Sequence, residues 1–520
     1  MSSPSASPSG ARRGASAQDI LAHHLAVAKD FVKDPPVRPT TKRASHAFLV
    51  GYLINVALDG ILPGILRKKS ASEALRSLVS GPTFRSASSL ALYSLLYRTL
   101  IKHITRLRIL LLDKVPSPDS QDLSTHRSRL YARLTRTLRS AFLVPFLAAL
   151  AASPASILFP NPSLRQTFSI WALVSGIESV YREARRHNSR LVSWVPDFVG
   201  GGFFYALGNG QLLWSFLFEP ECFPSAYGKV ILARSTAYIP PRPSGLPASI
   251  PWPAPREVAD TIALLSTPSS TSPAYPAFSA PLLSALTPLD HATTSYSLIN
   301  PILDYSPAHP AHTSLLCAVL HPTEPSCWKN FFSFWVREWG ASARFVAAFA
   351  AIGQAFAWKK MLKDPETALF KYAKAVVQGA TVISGSIGTA WALTCFFQKY
   401  LPRTFLPRSR YFLNGVLSSV FILAVPRARR AQLGSYVTRQ SLASTWGILK
   451  KQGKVKSIRN GDVFLLALGL GMLASLHENR PTALPGSTRR GLSLILGPPN
   501  EAEKAVLAQR VDPSADFKSE

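Results

Sequence analysis

The sequence predicts an all-α membrane protein, a polytopic helical bundle in two repeated halves separated by a long Pro/Ser-rich loop. Three observations carry that expectation. Hydrophobic residues make up 47% of the 520 residues and charged residues only 17%, below the quarter usual in a soluble chain. The mean hydropathy is +0.12 although the net charge is +30. Basic flanks around apolar segments produce that pairing. The apolar residues are also clustered into segments of roughly the ~20 residues that cross a bilayer.

The first 44 residues form a polar tail. "QDILAHHLAVAKDFVKD" places Ile20, Leu21, Leu25, Ala28 and Phe31 on one helical face, stopped by Pro35–Pro36. Residues 45–218 form the first membrane half. Its apolar segments are 46–66, 86–104, 141–159, 167–181 and 198–218. Asp59 lies inside the first and Glu178 inside the fourth, and intramembrane carboxylates are functional candidates by default. Asp59 near an interface, or paired in the bundle, is the plainer reading. Glu178 can pair with Arg182, one turn on. Basic loops flank 86–104 on both sides, so charge alone does not set the topology there.

Residues 219–315 change character. "IPPRPSGLPASIPWPAPREV" and "TPSSTSPAYPAFSAPLL" carry prolines too densely for regular elements. This reads as a long aqueous loop with one helix at "EVADTIALLS". The second membrane half, 316–478, holds apolar segments 341–358, 375–397, 411–425 and 463–476. A polar tail, 479–520, closes the chain.

The two halves are self-similar. "FLVPFLAAL" from Phe142 matches "FLNGVLSSV" from Phe412. A spacing of 265 residues then relates Trp171 to Tyr436, Ser179 to Ser444 and Asp197 to Asp462. Both aspartates sit where the last helix of a half would start, where a carboxylate caps orphan N–H groups. Duplicated membrane halves often place a pathway at their interface.

Four cysteines are too few for a disulfide scaffold: Cys222, Cys317, Cys327 and Cys395. Cys395, inside an apolar segment, reads as a small hydrophobe. "CAVLHPTEPSCWKN" gives the spacing C-x3-H-x5-C over Cys317, His321 and Cys327. Zinc wants four ligands, and only three are local; Cys222 is a conceivable fourth without spacing to support it. A Cys317–Cys327 disulfide and a catalytic thiol beside Glu324 are alternatives. The favoured reading is structural: His321–Pro322 and Pro325 turn the chain, and Trp328, Phe331, Phe332 and Trp335 meet the membrane interface. No metal, cofactor or complete catalytic constellation is assigned. No basic stretch carries a nucleic-acid reader motif, so no nucleic-acid partner is expected.

That stretch resembles the transmembrane protein 135 family. Cys317, His321, Pro322, Ser326, Cys327 and Asn330 match the family's Cys…His-Pro…Ser-Cys…Asn pattern, and Pro220, Pro224 and Tyr227 match its Pro…Pro-x-x-Tyr segment. The likeness covers roughly residues 45–235 and 312–478. The family is distantly similar to the mitochondrial inner-membrane translocase channels. The heavy charge at Arg427–Arg430 and Lys450–Arg459 departs from the pattern. The resemblance implies a non-enzymatic, multi-pass protein of peroxisomal or mitochondrial membranes. Its expected role is in organelle organisation, fission and lipid handling, with the bilayer, a lipid ligand or membrane proteins as partners. Two other classes stand beside it: a transporter or translocase-like pore between the halves, and a membrane enzyme using Cys317, His321 or Asp59.

Overall fold

Helices begin where proline and a capping side chain coincide. In the computed structural model, Asn161 caps the helix Pro162–Arg186, its side chain accepting from the N–H groups of Ser163 at 3.0 Å and Leu164 at 3.3 Å. Asp364 does the same for Pro365–Tyr400, accepting from Thr367 N at 3.2 Å. At Pro255–Leu265, Glu257 reaches back to accept from Ala254 N at 2.7 Å.

The structure describes residues 40–56, 79–114, 140–236, 254–268, 274–275 and 309–498, apart from 191, 197, 198, 237, 310, 323 and 357, together with 72, 73, 76, 137 and 238. Asp59, Asp197 and the helix expected at 19–34 lie outside them. Among the described residues all regular structure is helical.

In chain order the helices are α1 (Thr40–Asn55), α2 (Gly81–Lys114), α3 (Leu143–Ala152), α4 (Pro162–Arg186), α5 (Gly201–Phe218), α6 (Ser225–Ser235), α7 (Pro255–Leu265), α8 (Leu315–Leu320), α9 (Cys327–Phe356), α10 (Trp358–Lys363), α11 (Pro365–Tyr400), α12 (Arg410–Ser418), α13 (Arg427–Lys451), α14 (Gly461–Asn479) and α15 (Gly486–Leu496). Short 3-10 segments follow α3 (Ser153–Leu158), α5 (Pro220–Cys222), α12 (Ser419–Ala424) and α14 (Pro481–Ala483).

The chain forms two units. One comprises residues up to Trp194 and from Ile458 onward; the other is Val195–Ser457. These boundaries differ from a division at the Pro/Ser loop: α5 and α6 fold with the later helices, and α14 and α15 with the earlier ones.

In the first unit α4 and α3 pack on α14, and α2 packs on α1 and α3. Its core joins Tyr97, Ala148, Ala152, Ala172, Leu473 and Leu496. Small residues bring backbones together: a Cβ on Gly469 would fall 2.4 Å from the Ala172 carbonyl carbon. The segment expected at 86–104 is part of the longer α2. Its serines are satisfied inward, Ser89 Oγ donating to Ala155 O at 2.9 Å and Ser94 Oγ to Ile495 O at 2.7 Å. Glu178 accepts from Arg182 Nη2 at 2.7 Å. Asp462 lies one residue inside α14 and pairs with Arg165 of α4. The cap position is Asn460, in the left-handed region at φ 57°, without a side-chain cap bond. Asp462 therefore tethers two helices rather than capping one.

In the second unit α13 and α12 pack on α5, and α11 packs on α9 and α12. Its core gathers Phe216, Tyr238, Ile262, Leu316, Phe334 and Tyr411. The region expected as an aqueous loop contributes to it. α6 and α7 form within that region, and Val258, Ala259 and Ile262 of α7 are buried, as are Ala274 and Tyr275. Val258, Ile262 and Leu265 recur at helical spacing on one face of a short helix, which explains this; proline density limits helix length without preventing burial.

Among the described residues two helices, α11 and α14, are long and apolar enough to cross a membrane by length and composition. Segments 141–159 and 411–425 are each broken, α3 and α12 passing into 3-10 turns at Ser153 and Ser419.

Gly434 of α13 meets α5 so closely that a Cβ there would fall 2.2 Å from Gly201 O. Gly434→Val is expected to cost ~1–3 kcal/mol or more through overpacking. Gly340→Ala, where a Cβ meets nothing within 4 Å, is expected to be neutral or slightly stabilising. Thermal unfolding in detergent checks this; equal midpoints for the two variants would contradict the close α5–α13 contact.

Candidate metal centre

The sequence C-x3-H puts Cys317 and His321 on one side of a single helical turn. α8 supplies that turn, with every residue from Leu315 to Leu320 buried. The helix ends at His321, whose N–H donates to Cys317 O at 2.8 Å, and whose extended φ of −148° turns the chain out. Glu324 N returns to His321 O at 3.2 Å, closing the turn that His321–Pro322 and Pro325 set up. Cys327 is then the first residue of α9. Ser326 Oγ accepts from Lys329 N at 3.3 Å at that helix start, and Asn330 N donates to Ser326 O at 3.0 Å. Pro322 O accepts from His309 N at 2.9 Å.

The fourth member comes from far along the chain. Cys395 of α11 places its Sγ 3.5 Å from His321 Nε2. Cys317 and Cys327 bring their sulfurs to 3.8 Å, and the four donor atoms all lie within 4.8 Å of one another. The sulfurs are not bonded; all four cysteines of the chain are free thiols. Cys317, His321 and Cys395 are buried, at 8%, 2% and 2% exposure, and Cys327 is half-buried. Among the described residues no carboxylate belongs to the cluster. Glu324 turns outward to Lys329, at 2.8 Å.

The histidine's orientation is fixed from outside the cluster. Its Nδ1 lies 2.8 Å from Glu324 O, a carbonyl that can only accept, so Nδ1 carries the proton. Nε2 faces the sulfurs, with a lone pair when the ring is neutral and a proton when it is charged. His312 backs the ring at 5.1 Å between centroids, with Nε2 donating to His321 O at 3.1 Å. Burial alone pushes the His321 pKa down, but the Cys317 and Cys327 sulfurs override it and raise it to about 10. Hydrogen bonds from Cys317, Cys395 and His321 pull the Cys327 thiol far below its ordinary range, against burial. The pocket thus favours the anionic form of the Cys327 sulfur.

Cys395, read from sequence as a small hydrophobe, completes a set of four that the local spacing left at three. Nothing near it in sequence announces this, because it is helix–helix packing of α11 against α8 that delivers the sulfur. Cys222 takes no part: it lies against Gly447 of α13, and burial pushes its thiol up.

Pro220 opens the 3-10 turn after α5, and Pro224 precedes α6. Tyr227 stacks on Phe223 at 5.8 Å and borders a cavity of about 380 Å³ within this unit. Tyr205, Asn209, Arg234 and Ser386 bring polar groups to otherwise apolar walls. Arg234 lies 3.5 Å from Glu338.

No protein-family model, curated protein or solved structure matches the chain.

Thiol alkylation of the folded protein is expected to reach Cys222 before the buried Cys317 and Cys395, read by mass after quenching. Equal rates for Cys222 and Cys395 would contradict the buried cluster.

Proposed function

We propose that the chain is a non-enzymatic, multi-pass protein of an organelle membrane, peroxisomal or mitochondrial, acting in organelle organisation and lipid handling. The observation that carries the membrane part is the surface of the helices. Ile177, Phe349, Val377, Val420, Leu423 and Phe464 are large apolar side chains 50–62% exposed, spread over α4, α9, α11, the turn after α12, and α14. A protein standing in water rarely exposes apolar side chains on so many elements. Lipid covers such faces, and α11 and α14 have the length to span it. The organelle rests on the resemblance of the Cys-His-Pro-Cys stretch alone.

Two repeated halves form part of this reading. α4 and α13 start and end 265 residues apart, at 162 and 427, then 186 and 451. α6 and α15 start and end 261 apart, at 225 and 486, then 235 and 496, as do the 3-10 turns before them. Tight contacts follow the same spacings. Gly208 would touch Val437 as Gly469 would touch Ala172, and Gly210 would touch Phe412 as Gly471 would touch Phe146, the last two partners being 266 residues apart. On this reading the loop before α14 is shorter by about a turn, and Asp462 corresponds to Gly201 rather than Asp197. Phe412 likewise corresponds to Phe146, one turn from the Phe142 match.

A second reading, transport or carriage of an amphiphile, is favoured by the cavity beside Tyr227, with its few polar groups in apolar walls. Flux in reconstituted vesicles separates the two. Deletion that alters organelle shape, with no flux, supports organisation.

Alkaline carbonate extraction is expected to leave the full chain in the membrane pellet, and a fluorescent fusion to outline peroxisomes or mitochondria. Release into the supernatant would contradict the membrane reading; a different compartment would contradict only the organelle.

A further inference from the structure

We propose that Cys317, His321, Cys327 and Cys395 bind one zinc ion as a closed, four-coordinate structural site. The donor set is Cys3His, one of the sets structural zinc uses. Zinc–sulfur bonds of about 2.3 Å and zinc–nitrogen bonds of about 2.0–2.1 Å make tetrahedral edges of roughly 3.8 Å between sulfurs and roughly 3.6 Å from sulfur to nitrogen. The protein has 3.8 Å from Cys317 Sγ to Cys327 Sγ and 3.5 Å from Cys395 Sγ to His321 Nε2. Two of the six donor–donor distances thus match those around an ion, and all six lie within 4.8 Å.

The outer contacts fit as well. A zinc-bound histidine nearly always gives its other ring N–H to a carbonyl or carboxylate. His321 Nδ1 gives its to Glu324 O, which aims Nε2 at the sulfurs. Three thiolates and one imidazole fill all four positions, leaving none for water or substrate, so the site is structural rather than catalytic. Binding moves no electrons: each cysteine sulfur loses its proton, and the neutral imidazole donates its Nε2 lone pair. Three soft thiolates exclude magnesium and calcium.

A disulfide is the competing use of the same atoms. It would bond Cys317 to Cys327 and leave His321 and Cys395 facing each other without a role, whereas one ion engages all four. The consequence is mechanical. The ion ties the end of α8 and the start of α9 to α11, five residues before its C-terminal Tyr400, or about 7.5 Å of helix rise. That clamp would hold the chain leaving the Pro/Ser region onto a helix long enough to span a bilayer.

The test is metal analysis of the purified full-length chain in detergent, from zinc-replete cells. About one zinc per chain is expected, with iron and copper each below a tenth. Cys395→Ser should lose at least tenfold in zinc, Cys222→Ser should lose none, and His321→Cys should keep about one. Less than a tenth of a zinc in the wild type, stoichiometric iron or copper instead, or a Cys317–Cys327 disulfide by mass spectrometry would overturn the site. So would full zinc in Cys395→Ser. Because Cys395→Ser removes a buried group and can unfold the unit, Co2+ is also exchanged into the wild type. Intense visible bands of tetrahedral, thiolate-bound Co2+ are expected; the weak spectrum of octahedral Co2+ would overturn the assignment.

Discussion

Three sulfurs and an imidazole nitrogen, drawn to within 4.8 Å of one another from α8, α9 and α11, are the constraint around which the 195–457 unit is arranged. Bringing four polarisable, ionisable groups into a buried place is costly unless something binds them together. An ion does so, and metal binding of this type contributes on the order of 10 kcal/mol to folding. The neighbouring features follow from it. α8 is only one turn long, far below the length at which a helix is stable alone. It persists because its whole surface is buried and its end is tied down. α7, Tyr238 and Tyr275 join the same core and anchor the proline-rich region that precedes it.

Elsewhere the organising force is close backbone approach. On the membrane reading, helices with apolar outer faces gain little from burying more apolar surface, so van der Waals contact through small residues decides which helices pair. The α5–α13 and α4–α14 pairs show this at Gly201, Gly434 and Gly469. Arg410 shows the complementary device. Buried as the first residue of α12, it donates to the carbonyls of Phe397 in the last turn of α11 at 3.3 Å and of Phe405 in the following loop at 2.9 Å, tying the connection between the two helices.

Helix positions were largely legible in the sequence, because apolar runs bounded by proline and capping residues are local signals. Asn161-Pro162 and Asp364-Pro365 start helices as such pairs should. The Glu178–Arg182 pair is a one-turn relation and was equally legible. Four things were not. The helix α13, basic at both ends, lies outside every apolar segment expected. The breaks at Ser153 and Ser419 lie inside uniformly apolar runs. The burial of α7 depends on neighbours that sequence spacing does not name. Cys395 looks like any small residue of an apolar helix, and its partners are set by tertiary packing. The ligand count from Cys317, His321 and Cys327 alone stopped at three for that reason. An isolated cysteine on an apolar helix, in a chain with an incomplete Cys/His triplet, was the signal available.

The central claim is that these four atoms form the coordination sphere of one ion. X-ray absorption at the zinc edge on the purified, full-length protein reads that sphere directly. Three sulfur scatterers at about 2.3 Å and one imidazole nitrogen at about 2.0–2.1 Å are the predicted result. A shell made only of oxygen and nitrogen would contradict it, because zinc would then be held somewhere other than at Cys317, Cys327 and Cys395.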